Sequence, residues 1–234
     1  MKKGIILSLF IVALFATTGF SKGPSIEKET RNLKGFTKVS FGVSGNLFIT
    51  FGPEFNVVLE GEKSLLEDIE TEVSGGKLII KKENWRLNMN EKVIVYITMP
   101  YISRLDVSGS GKAEIKDAVK ADNLDLSVSG SGKLFTSDIV AVNLNCSISG
   151  SGDIIIGGNG DATKADIAIS GSGDYTGESL KIGSAEISIS GSGSCSCNIT
   201  ESLRASVSGS GNVTYLGNPK VDARVSGSGR VRSK

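Results

Sequence analysis

Seven copies of one phrase, Ser-Gly-Ser-Gly, limit what this chain can become. They begin at Ser108, Ser129, Ser149, Ser170, Ser190, Ser208 and Ser226, at steps of 21, 20, 21, 20, 18 and 18 residues. Each copy follows Val or Ile. A phrase that returns at a near-constant step marks a solenoid, in which each repeat is one coil stacked on the next.

Counting by twos through the first copy gives Leu105, Val107, Gly109, Gly111, Ala113 and Ile115 on one side, all apolar or glycine. Asp106, Ser108, Ser110, Lys112 and Glu114 fall on the other, all polar. Side chains alternate along a strand, so the pattern predicts an extended segment that runs through the motif without a slip. The first glycines (Gly109, Gly130, Gly150, Gly171, Gly191, Gly209 and Gly227) are expected on the core side with the second ones. There they would make room where the strand bends around a narrow core. The serines are expected in outward columns.

Stacked by the motif, the copies form rows of constant character. The row five residues before the first serine reads Ser103, Leu124, Leu144, Ala165, Ala185, Leu203, Val221. The row five after it reads Ala113, Leu134, Ile154, Tyr175, Cys195, Val213, Val231. Such rows make a thin continuous core and predict an all-β parallel β-helix with coils of about 18–21 residues and two or three short faces.

The flanks divide the chain. Residues 1–21 carry Lys2 and Lys3, an apolar run from Ile5 to Phe15 and then small residues, the pattern of a signal peptide, with an uncleaved anchor as the alternative. No second hydrophobic span follows, so no transmembrane span is expected in the mature chain. Residues 22–103 are expected to be an irregular N-terminal part of the solenoid. It would hold degenerate motifs at Ser44-Gly45-Asn46 and Ser74-Gly75-Gly76, a short helix with capping-box spacing at Ser64-Leu65-Leu66-Glu67, and a strand from Val93 to Met99 ended by Pro100. A loop around Trp85, Leu87 and Met89 would fold back onto it. Residues 104–234 are expected to be the regular coils.

Charge and composition narrow the partners. The formal charge is +1, and losing Lys2 and Lys3 would make it −1. Neither value favours nucleic acid or anionic lipid, and sparse aromatics argue against a stacking platform.

Catalytic motifs fail on inspection. After Gly111-Lys112 and Gly132-Lys133 come Ala113 and Leu134, where a phosphate loop needs Ser or Thr. The chain has no His, so no Ser–His pair exists; a Ser–Lys pair stays open. Asp153 and Asp174 each follow a motif directly, leaving calcium between adjacent coils open beside two solvated carboxylates. Zinc is disfavoured with three Cys and no His, and Cys146, Cys195 and Cys197 are expected to be buried free thiols. No catalytic, cofactor or metal residues are assigned.

The chain resembles the putative auto-transporter adhesin, head GIN domain family of exported bacterial proteins. The resemblance rests on Val43-Ser44-Gly45, on Leu65-Leu66-Glu67-Asp68-Ile69 before Leu78-Ile79-Ile80, and on Val95-Tyr96-Ile97-Thr98-Met99-Pro100. It closes on Gly217-Asn218-Pro219-Lys220-Val221 leading to Val225-Ser226-Gly227-Ser228-Gly229. It implies a right-handed parallel β-helix in an envelope or secreted protein, in the periplasm, on the outer surface or released. The function expected is a non-catalytic adhesin or surface-binding module for carbohydrate or a cell-surface protein. The alternatives are a periplasmic scaffold with a protein partner and, more distantly, a carbohydrate-active enzyme.

Overall fold

The computed structural model describes residues 25–82 and 92–234. The expected signal peptide over residues 1–21 and the loop expected around Trp85, Leu87 and Met89 lie outside these. None of the described helices is long and apolar enough to cross a membrane.

The N-terminal part contains β1 (Ile26–Arg31), β2 (Lys38–Gly42), β3 (Gly45–Phe51), β4 (Asn56–Glu62), α1 (Lys63–Glu67), β5 (Ile69–Ser74), β6 (Lys77–Lys82) and β7 (Val93–Met99). The regular coils follow as β8 (Arg104–Gly109), β9 (Lys112–Ile115), β10 (Val119–Gly130), β11 (Lys133–Thr136), β12 (Ile139–Gly150) and β13 (Asp153–Ile156). They continue as β14 (Gly160–Gly171), β15 (Asp174–Gly191), β16 (Ser194–Gly209), β17 (Asn212–Leu216), β18 (Lys220–Gly227) and β19 (Arg230–Ser233).

The regular part is a parallel β-solenoid of about six turns with three faces. Face A holds the strands that lead into each motif, and face B the strands that leave it. Face C is a short run that opens β10, β12 and β14, where Val119 pairs with Ile139 and Ala141 with Ala162. Register between coils follows the repeat. Ser129 pairs with Ser108 and Ser149, and the column continues through Ser170, Ser190, Ser208 and Ser226. Both apolar rows stack in the order read from the sequence. Leu124, Leu144, Ala165, Ala185 and Leu203 are buried, as are Leu134, Ile154, Tyr175 and Cys195.

The motif departs from the expected continuous strand. Each face A strand ends at the first glycine, and the face B strand begins after the second. The first glycine has a positive φ, from +87° at Gly109 to +130° at Gly191, a region that residues with a Cβ resist. It is not a core position. A Cβ on Gly150 would lie 2.5 Å from the Gly130 carbonyl oxygen of the coil below, so it would strike the neighbouring corner. The second glycine does face the core, where a Cβ on Gly152 would meet Val128 Cγ1 at 2.4 Å. From Gly132 onward each second glycine therefore seats the Val or Ile of the preceding coil, while Gly111 seats Phe41. The ladder persists around the corner, as Ser131 N–H donates to the Gly109 carbonyl (2.9 Å) and Ser151 N–H to that of Gly130 (2.8 Å). Parity survives because the corner consumes an even number of residues.

The N-terminal part is threaded out of order. On face A, β2 lies between β6 and β8; on face B, β3 lies between β7 and β9. The first coil in the sequence is thus the second in space. Antiparallel strands close this end, with β5 beside β6, β4 beside β7 and β1 beside β4. Helix α1 adds the buried Leu65 and Leu66. The helix forms where expected, but its N-cap is Glu62 with no side-chain capping bond, so apolar burial rather than a capping box holds it. Ser44-Gly45-Asn46 is a corner between β2 and β3, and Ser44 Oγ lies 3.0 Å from Ser110 Oγ. Ser74-Gly75-Gly76 is not a degenerate corner. It turns the antiparallel β5–β6 hairpin, with φ +57° at Gly75 and +70° at Gly76, the left-handed pair that a two-residue hairpin turn requires.

Candidate binding surface

The corner columns place hydroxyls on the surface. The first serines Ser108, Ser129, Ser149, Ser170, Ser190, Ser208 and Ser226 are all exposed. They stand in register, yet among the described residues no hydroxyl–hydroxyl bond joins one of them to the next. The motif's glycines build the corner, and among the described residues its first serines leave a line of hydroxyl donors and acceptors along it.

A concavity lies at the opposite edge of face A from this line, where face C passes into face A. Its volume is about 770 Å³. Small residues at Ala121, Ala141 and Ala162 form the floor, and Lys120, Asp122, Asp161 and Thr163 rise on the walls with Val140 and Val142. The two valines are 49% and 47% exposed, an uncommon display of aliphatic surface on a concave wall. A second trough of about 590 Å³ continues across face A, lined by Asn143, Asn145, Lys164, Asp166, Glu186 and Arg204 among others. Coil-to-coil bonds hold these side chains in place. Asn143 Nδ2 donates to Asn123 Oδ1 at 2.9 Å, Asn145 Nδ2 to Asp125 Oδ1 at 2.8 Å, and Ser202 Oγ to Ser184 Oγ at 2.9 Å. The two troughs adjoin along the solenoid with polar and apolar lining mixed, and coil-to-coil hydrogen bonds fix Asn143, Asn145 and Ser202 within them.

The two aspartates singled out in the sequence are engaged elsewhere. Asp153 accepts from Lys133 Nζ at 2.5 Å and from the Asp174 backbone N–H at 3.4 Å; Asp174 accepts from the Ser194 N–H at 2.8 Å. They stitch successive coils together. Asp153 holds the Lys133 ammonium above its ordinary value of 10.5. Among the described residues, no three His, Cys, Asp or Glu side chains gather as a metal site would require.

Cys146, Cys195 and Cys197 are free and buried. Burial pushes the Cys146 thiol up; the Cys197 contact and then burial push up that of Cys195. The Tyr175 hydroxyl is buried among them, with no hydrogen-bond partner among the described residues. Gly177 makes room for it, since a Cβ there would lie 2.6 Å from the phenol oxygen.

Sequence reasoning missed an aromatic column. On the outside of face B, Tyr96 pairs with Phe48, Phe48 with Glu114, and Glu114 with Phe135. The rings of Phe48 and Tyr96 are stacked at 5.7 Å, and Lys116 Nζ lies 4.7 Å from the Phe48 centroid. Aromatics are few, but three gather here. The signal was parity, for each ring sits on the polar side of its strand.

The fold and several stretches of sequence have known counterparts. Residues 35–219 match the model of the family described as putative auto-transporter adhesin, head GIN domain. A putative adhesin from Bacteroides fragilis is 23% identical, with a TM-score of 0.77, covering 91% of this chain and 98% of that one. One from Parabacteroides distasonis is 21% identical, with a TM-score of 0.75 and coverages of 90% and 98%. A putative lipid binding protein from the same organism is 22% identical, with a TM-score of 0.71 and coverages of 89% and 96%. No curated protein matches the chain. At these identities the solved structures establish the shared fold, and the match over residues 35–219 establishes the lineage: the chain belongs to the putative auto-transporter adhesin, head GIN domain family.

Proposed function

We propose that this chain is an exported, non-catalytic adhesin-type module that binds carbohydrate along its concave surface. The observation that carries this reading is the pair of adjoining troughs in which Asn143, Asn145 and Ser202 are held in coil-to-coil register by hydrogen bonds, with Asp and Lys side chains beside them. Planar amide and carboxylate groups can each bond two neighbouring hydroxyls at once, and pre-ordered side chains lose little entropy on binding. The parallel coils repeat these groups at the strand spacing of about 4.8 Å, suiting an extended polymer better than a compact metabolite. Membership in the adhesin family supports binding rather than turnover.

The test is a glycan array probed with the purified chain, followed by calorimetry on the best ligand. Replacing Asn143 and Asn145 together by Ala should weaken binding at least about tenfold, the loss of one or two buried hydrogen bonds, with an unchanged circular dichroism spectrum. Binding that survives this change but is lost on altering Tyr96 and Phe48 would move the site to face B. A chain that binds no glycan would overturn the reading. Protease digestion of intact cells beside a lysed control tests export to the surface.

A further inference from the structure

The two ends of the solenoid are unlike in cover and opposite in charge. At the N-terminal end, α1 closes the core with Leu65 and Leu66. At the C-terminal end, Val221 and Val225 of the last coil are 44% and 43% exposed. Among the described residues, β18 pairs with β16 alone and β19 with β17 alone. Likewise β1 pairs only with β4 and β5 only with β6. Each end therefore shows backbone donors and acceptors on free strand edges, a template for strand addition.

The charges decide what such an edge accepts. In β1 and from Glu60 through β5, eight carboxylates face three cations. Glu27, Glu62, Glu67 and Asp68 enter no ion pair among the described residues, whereas Glu29 is held by Arg31, Glu60 by Lys28, and Glu70 and Glu72 by Lys81 of β6. From Lys220 to Lys234 the balance reverses, with five cations facing one carboxylate. Asp222 lies against Arg204 and Lys234 against Glu178, while Lys220, Arg224, Arg230 and Arg232 pair with no described residue. Two C-terminal ends repel each other, as do two N-terminal ends; one of each attracts.

We propose that copies of this chain associate head to tail, the basic C-terminal edge of one docking on the acidic N-terminal end of the next. Below the coil of β2 and β3, face B adds β7, β4 and β1, whereas face A adds only β6 and β5. The leading contact is therefore β19 of one copy against β1 of the next. Both run in the direction of the face B coils, so the new pair is parallel and the sheet continues. A contact between unlike ends does not close on itself; it propagates as an open filament. This goes beyond the carbohydrate reading, since the leading contact lies on face B, whereas the troughs run along face A and would be repeated along the filament.

Sedimentation velocity of the purified chain tests this across concentration and salt. The expected result is mass growth with concentration at low ionic strength, reverting toward monomer as salt screens the ends. R230E/R232E should stay monomeric, and so should E27K/E62K. Mixing R230E/R232E with E27K/E62K should restore assembly as an alternating filament, because each end of one variant meets an oppositely charged end of the other, and a single chain carrying all four changes should assemble again for the same reason. That rescue separates charge pairing from misfolding. A chain monomeric at every salt concentration would overturn the proposal, as would assembly indifferent to both charge reversals or a four-fold variant that stays monomeric.

Discussion

At the scale of single residues, the two halves of the motif have separable roles. Gly150 needs its backbone at φ +115° and has the Gly130 carbonyl 2.5 Å from where a Cβ would stand. Gly150→Val should therefore cost about 3 kcal/mol or more, combining left-handed strain with overlap between coils. Ser149 is exposed, and Ser149→Ala should change stability by less than about 0.5 kcal/mol. Urea titration of both variants checks the contrast; a destabilised Ser149→Ala would mean that the serine column supports the fold. The buried thiols make a pH prediction. The native pKa values of Cys146 and Cys195 are raised above the ordinary 9.0, so at these two thiols the native state holds the protons more tightly than the unfolded chain. Their contribution is intact below about pH 9 and declines as pH climbs toward the raised native values. Melting temperature should fall over that alkaline range, less so in a chain with Cys146 and Cys195 replaced by Ala. A thiol reagent at neutral pH should modify none of the three until the protein is unfolded.

At the scale of elements, what could be read from the sequence depended on repetition. Seven copies fixed the coil register, and the apolar rows around the motif stack as their spacing requires. Where a feature occurred once, the reading was weaker. Ser74-Gly75-Gly76 resembles the motif in composition, but Ser74 pairs antiparallel with Lys77 and the glycines make a hairpin turn; composition alone does not separate a corner from a reversal. The placement of β2 between β6 and β8 was also hidden, because Val39 meets both Leu78 and Leu105 across long sequence separations. The concave surface was illegible for a related reason. Its depth comes from the small row Ala121, Ala141 and Ala162 at the passage between faces C and A, and the angle of that passage is tertiary. The aromatic column was the opposite case, legible in principle: Phe48, Tyr96 and Phe135 occupy outward parity, and counting aromatics without counting parity concealed them.

At the scale of the whole molecule, stability should follow the stack. Each regular coil contacts the one above and the one below, so the energy is close to a sum of coil and interface terms. The corner-to-corner step is the natural unit of this sum. Removing residues 131–150 joins Gly130 to Ser151 and keeps an intact Ser-Gly-Ser-Gly. Face A of β10 would then meet β14, placing Leu124 on Ala165 and Val128 on Ile169, while β9 would meet β13 with Ala113 on Ile154. Every inward position stays apolar and every column stays in register. This shortened chain should fold, with a native-like β spectrum and a lower melting temperature. Removing only residues 131–140 takes out half a turn, deletes β11 without its partner strand, and sets face C residues against corner glycines. That chain should lose cooperative unfolding. Circular dichroism with thermal melts on the two deletions distinguishes a one-dimensional stack from a globular core: equal damage from both would mean that the coils are not interchangeable, and that the N-terminal closure governs the fold more than the repeat does.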